Sequence, residues 1–227
     1  MDRRRALKNI GLGAGFLVAT PTVLSILKSC ASEPDFIPVF VTPAQGHALK
    51  HMVDLIMPAD ETVPGAVDVG AHKFIDSYWQ LVTPTKQDMA LVGVRGSYQL
   101  LQDHVKLLWG AFEEEFKATY QKELADGTAE DFDGLLANYL RKNKQERTAL
   151  GDSMGDFLEA YDSDSSLKPD QEAAVFSLLT GIRGMTIWAW KSSEQIGKNV
   201  LWYDPIPGQQ IGCIPISEAG NGNVMSL

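Results

Sequence analysis

Two histidines are the first residues whose spacing could do chemistry. His47 and His51 stand at i and i+4, which brings both imidazoles to one face of a helix in a geometry that can ligate a metal. A protein metal site takes three or four ligands, and the same helix adds only Asp54, with no third histidine at a suitable spacing. His47 and His51 therefore count as metal ligands only in an alternative reading of the chain. Asp60, Glu61 and Asp68 concentrate carboxylates within one loop and could act as an acid/base pair or a calcium loop. No glycine falls where a calcium loop needs its sharp turn, so a solvated loop is the plainer reading. His72 and His104 read as ordinary helix residues.

Trp188, Trp190, Trp202 and Tyr203 gather around a Gly/Pro-rich segment and could either plug the end of a core or anchor a partner. Trp188 is expected in the core, with Trp202 and Tyr203 nearer a contact surface. Motifs for bound cofactors are missing: there is no G-x-G-x-x-G after a strand, no Walker sequence, no H-E-x-x-H and no G-x-S-x-G. The two cysteines, Cys30 and Cys213, make no C-x-x-C, so neither covalent haem nor an iron-sulfur cluster has its ligands. No catalytic residue, cofactor site or metal site is assigned to this chain.

The elements that must position these residues are helices. Pro43 opens a helix over about 43–57 on which Leu49, Met52, Val53 and Ile56 recur at helical spacing, and Pro58 stops it. A loop follows from Ala59 to Gly70. A second helix is expected to carry Phe74, Tyr78, Trp79 and Val82 on one face and to end near Thr83-Pro84. A longer one follows through Leu100, Leu101, Val105, Leu108, Trp109, Phe112, Phe116 and Tyr120. Thr128 with Asp131 three residues on is a capping box for a helix to Leu140, and Leu150, Met154, Phe157, Leu158 and Tyr161 mark another. After a polar break from Ser163 to Pro169, Asp170 starts the last long helix. Its apolar residues lie on most sides, which predicts the central position, and Gly181 and Gly184 predict close approach of a neighbouring backbone. From Gly197 onward Pro and Gly predict an extended, turning tail. The fold class is all-α, an irregular multi-helix orthogonal bundle with an extended Gly/Pro-rich C-terminal tail.

The N-terminus reads as an address. Arg3-Arg4-Arg5-Ala6-Leu7-Lys8 precedes an uncharged stretch from Asn9 to Leu27, the layout of an export signal, and Arg3-Arg4 with Ala6, Leu7 and Lys8 resembles the twin-arginine consensus. Leu27-Lys28-Ser29-Cys30 resembles a lipobox, with Cys30 the residue to be acylated. The other readings are an uncleaved anchor helix, and for Cys30 a free thiol or a disulfide with Cys213. The domain organisation is a signal over 1–29, a tether over 30–42 and a helical domain over 43–227, in a protein exported to the periplasm and anchored to the membrane through Cys30. Residues 1–29 hold five basic residues and one acidic one, which leaves 15 basic and 28 acidic residues from Cys30 onward, a net of −13. A domain this acidic has no electrostatic footprint for nucleic acid or for an anionic lipid surface.

The run Ile56-Met57-Pro58-Ala59-Asp60-Glu61-Thr62-Val63-Pro64-Gly65-Ala66, followed by Phe74-Ile75-Asp76, resembles the start of the small (gamma) subunit of gluconate 2-dehydrogenase, subunit 3. The tail Ile196-Gly197-Lys198-Asn199 through Tyr203, Pro207-Gly208 and Gly212-Cys213 resembles that family's end. The resemblance implies a non-catalytic subunit. Its partners would be a glucose-methanol-choline type flavoprotein that holds FAD and the substrate site, and a cytochrome c subunit carrying haem c. Such small subunits are thought to assist maturation and export of the flavoprotein. Candidate docking residues are Pro64 and Gly65 in the first run, and Trp202, Tyr203, Pro207 and Gly208 in the tail. The alternative is an independent lipid-anchored metal-binding protein or enzyme using His47, His51 and the acidic loop.

Overall fold

The computed structural model describes residues 36–85 and 102–202, without the side chain of Asp162, together with Cys213, Pro215, Ser217, Glu218, Gly222 and Asn223. Every described helix belongs to the unit that spans residues 38–227. Its described residues form seven α-helices: α1 (Pro43–Ile56), α2 (Ala71–Leu81), α3 (Gln102–Tyr120), α4 (Ala129–Leu140), α5 (Lys144–Ser163), α6 (Gln171–Ser192) and α7 (Glu194–Asn199). A 3-10 turn at Leu124–Asp126 links α3 to α4, and no strand occurs among the described residues.

Five of the seven described helices begin where a side chain satisfies free N–H groups. Thr42 caps α1 in a reciprocal box with Gln45, and Pro43 fills the first helical position, where its missing N–H costs nothing. Thr128 and Asp131 form the expected box on α4, Asn143 and Glu146 form one on α5, and Asp170 caps α6. The Lys122 ammonium on Asp131, together with the Thr128 N–H, holds that carboxyl down at about 2.

Helix α6 is the hub, packing against each of the other six helices. Its Ala174, Val175, Leu179, Ile182 and Thr186 are wholly buried, and the Thr186 hydroxyl is satisfied by the Ile182 carbonyl one turn back. Around it an aromatic core runs from α2 to α4. Trp79 meets Trp109 edge-on, Trp109 meets Phe112, and Phe116 stacks on Phe132 with centroids 5.2 Å apart. Such contacts add about 0.5–1.5 kcal/mol each to what burial contributes.

Three local expectations are corrected. The buried face of α2 is Ala71, His72, Ile75, Asp76 and Trp79, so the four residues expected on one face are split: Trp79 points inward and the stripe Phe74–Tyr78–Val82 outward, a rotation of about one residue. A Cβ added at Gly181 or Gly184 would meet nothing within 4 Å, so neither serves a close backbone approach. Gly197, Lys198 and Asn199 close α7 instead of opening a tail, because Ser193 caps the helix and Lys198 pairs with Glu194 one turn away. The proposed tail from Tyr203 lies almost wholly outside the described residues, as do Leu100 and Leu101.

His72 and His104 lie in helices as expected, and both are buried. His72 is 3% exposed and His104 6%, the latter with its ring edge-on to Tyr161. Burial, reinforced by Lys50 and Lys73, pushes the His72 imidazole down to about 4. The unfolded chain takes up this proton near pH 6.5 and the folded one only near 4, so stability falls as pH drops through that window. The expected loss between pH 7 and pH 4 is about 2–3 kcal/mol from this residue. His72→Gln should flatten the slope of unfolding free energy between about pH 4 and 6.5. An unchanged slope in urea titrations would place the acid sensitivity elsewhere.

Candidate functional site

The loop between α1 and α2 is built from its own side chains. The Asp60 carboxylate accepts from the N–H of Thr62 (2.7 Å) and Val63 (2.8 Å) and from the Thr62 hydroxyl, and these bonds hold its carboxyl below the usual range. Asp68 accepts from the Gly65 N–H at 2.9 Å. These two carboxylates are turn formers, each occupied with backbone donors of its own loop. Glu61 is exposed and joins neither.

Pro64 and Gly65 sit at the closure of this loop. The Trp190 indole N–H of α6 donates to the Pro64 carbonyl at 2.9 Å across 126 residues, pinning the loop to the hub helix. Gly65 is buried, and a Cβ there would lie 2.5 Å from the Ala59 nitrogen and 3.0 Å from the Met57 oxygen. Both are backbone atoms that cannot swing aside, so Gly65→Ala should cost about 1–3 kcal/mol. The check is a lower denaturation midpoint with the denaturant slope unchanged; an unshifted midpoint would mean that the loop opens freely.

His47 and His51 do share a face of α1, their rings 4.6 Å apart and edge to face. Other atoms claim them. His47 Nε2 lies 2.9 Å from the Gly127 carbonyl, to which it can only donate, and His51 stacks on Phe132 at 5.7 Å. Burial and the neighbouring His47 hold the His51 imidazole below its ordinary value. Among the described residues no three His, Cys, Asp or Glu side chains are grouped to hold a metal ion.

The feature that sequence reading placed wrongly is Trp188. It is 49% exposed, outside the core. Its indole meets Phe74 at 5.1 Å and Tyr78 at 5.7 Å, both edge-on, and Phe74 and Tyr78 face each other at 5.9 Å. Leu81 and Val82 continue the same α2 face at i+7 and i+8 from Phe74, and they are 81% and 56% exposed. The α2–α6 pairing explains the placement. Trp190 reaches Pro64 just ahead of α2 while Trp188 reaches its first two turns, so the indole two residues before the pinned one lands on the outer face. The result is an aromatic and aliphatic surface of the kind that marks protein–protein contact. Its signal in the sequence was the i, i+4, i+7, i+8 spacing of Phe74, Tyr78, Leu81 and Val82, which reads equally well as a core stripe.

Of the candidate docking residues in the tail, Trp202 is half-buried, and Tyr203, Pro207 and Gly208 lie outside the described residues, as do Arg3, Arg4 and Cys30. Cys213 is a free, exposed thiol. No curated protein and no solved structure matches the chain. One family description does, "Gluconate 2-dehydrogenase subunit 3", over residues 43–208, from the start of α1 to the Pro207-Gly208 pair. The chain belongs to the gluconate 2-dehydrogenase subunit 3 family.

Proposed function

We propose that this chain is a non-catalytic small subunit of a membrane-associated periplasmic sugar or alcohol dehydrogenase, and that it helps the flavoprotein subunit to fold, to be exported or to stay stable. The flavoprotein, of the glucose-methanol-choline type, carries FAD, and a cytochrome c subunit with haem c accepts the electrons. Arg3 and Arg4 direct export by the twin-arginine route, and Cys30 carries the lipid anchor.

The observation that supports this reading is the Phe74–Tyr78–Trp188 surface with Leu81 and Val82 beside it. Large aromatic side chains left half in water cost free energy in an isolated domain and return it when a partner covers them. Membership of a family of gluconate 2-dehydrogenase subunits supports another subunit of such a dehydrogenase as that partner. A twin-arginine signal fits the same picture, because that route carries folded proteins and a flavin must be inserted before export.

Deleting this chain tests the proposal. The expected result is that the flavoprotein stays in the cytoplasm or is degraded, and that periplasmic dehydrogenase activity drops at least tenfold. A flavoprotein that reaches the periplasm, holds FAD and turns over normally without this chain would end the reading.

A further inference from the structure

On this acidic chain, a small group of cations gathers where no carboxylate answers it. Lys144 and Arg147 in the first turn of α5 and Arg183 on α6 line a groove of about 280 Å³ with Thr148 and Thr180, over Phe176 and Leu140. The groove follows from helix geometry. Lys144, Arg147 and Thr148 stand at i, i+3 and i+4 on α5, and Phe176, Thr180 and Arg183 at i, i+4 and i+7 on α6, so each set shares one face.

Among the described residues none of the three cations pairs with a carboxylate; Lys50, Lys73, Arg141, Lys168 and Lys191 have no such pair either, and what sets these three apart is that they line one groove. The acids closest in sequence have other work. Glu172, one turn before Phe176, is paired with Lys142, and Glu146 accepts from the Asn143 N–H in the α5 capping box. Lysine and arginine in the first turn of a long helix also oppose the positive end of its dipole. An anion in the groove would answer both the unpaired cations and the helix end.

The chemistry of the lining narrows the anion. Guanidinium groups match the paired oxygens of a phosphate, and the two threonine hydroxyls can donate to the remaining ones. A net charge of −13 on the chain from Cys30 onward disfavours a polyanion, whereas a single compact oxyanion meets only the local field. Phe176 and Leu140 give an apolar floor for an organic group beside it. We propose that this groove binds a phosphate ester, its phosphoryl oxygens held by Arg147, Arg183 and Lys144 and its organic part resting on Phe176. The ester is either a soluble metabolite or the headgroup of a single lipid.

Titration of the purified full chain with glycerol 3-phosphate at physiological salt tests this, with a parallel arm using phosphatidylcholine vesicles that carry a small share of phosphatidylglycerol, so that single headgroups are offered without a strongly anionic surface. Saturable binding is expected, weakened at least tenfold in an Arg147→Ala, Arg183→Ala double variant. A Lys106→Ala, Lys117→Ala pair, which removes the same charge elsewhere, should change it less than twofold. If vesicle retention shows the same tenfold ratio and glycerol 3-phosphate displaces it, the source is a headgroup; if only the soluble ester shows the ratio, the source is a metabolite. The absence of saturable binding to either probe, or an equal loss in the control pair, would overturn the proposal.

Discussion

Replacing Asp76 by alanine is expected to lower the stability of the helical domain by about 3–5 kcal/mol, a large share of the roughly 5–15 kcal/mol typical of a domain. Asp76 is 1% exposed on the inner face of α2, and its carboxylate collects three backbone donors from the segment that leads into α1. The Val39 N–H donates to one oxygen at 2.6 Å, and those of Phe40 and Val41 to the other at 3.0 Å each. Hydrogen bonds to a charged acceptor contribute about 1.5–3 kcal/mol apiece, and a buried donor left alone costs further. The sum is capped because the segment can peel away and let water reach the three N–H groups. Peeling has its own cost, since it withdraws Val41 from the core and Phe40 from the face of Trp79. Asp76→Asn keeps one accepting oxygen and turns the other into a donor, so it should lose roughly half as much. Urea unfolding of both variants, with limited proteolysis at residues 38–42, measures the two effects. Equal midpoints for wild type and Asp76→Ala would show that the clamp is dispensable.

This clamp marks the boundary of what the sequence discloses. Some helix starts were legible because a cap is a local event: Pro43, Thr128 with Asp131, and Asp170 each carry their meaning within four residues, whereas the Asn143 box of α5 went unread. The central place of α6 was legible too, from its all-round apolar composition. Asp76 gave no signal, because its donors lie 35 to 37 residues away and nothing in Phe74-Ile75-Asp76 announces them. The rotation of α2 was hidden for a related reason. Its two neighbouring stripes, Phe74–Tyr78–Val82 and Ile75–Trp79, are both apolar, and only the pull of Asp76 and His72 toward the interior decides between them. Trp188 followed the same logic, being assigned to the core on hydrophobicity when the pinning of Trp190 to Pro64 turns it outward. The Pro-Ala-Asp…Pro-Gly-Ala run that carries the family resemblance is, in the structure, a self-capped loop with one close-packed glycine. The sequence therefore revealed the family through a folding motif, while the surface available to a partner emerged only from how two helices pack.

That surface carries the second large expectation, which rests on the proposed role as a dehydrogenase subunit. A Phe74→Ala, Trp188→Ala double variant should weaken association with the flavoprotein at least 100-fold and leave the chain folded. The two effects separate because the side chains are half in water already. Within the isolated domain their truncation loses the edge-on ring contacts and the buried half of each ring, about 2–4 kcal/mol together, less than for sealed core aromatics because no closed cavity is left behind. At an interface the same residues would be central anchors, and truncating such an anchor typically costs about 2 kcal/mol or more, so two of them exceed a factor of about 100. Leu81→Ala provides a graded comparison, because a single exposed aliphatic at the end of α2 should shift affinity only a few-fold. The measurement is the Kd of the reconstituted pair beside the thermal midpoint of each free variant. A double variant that binds as tightly as the wild type would remove this face from the interface. One that loses binding only in step with its own unfolding would show that the aromatics serve the fold.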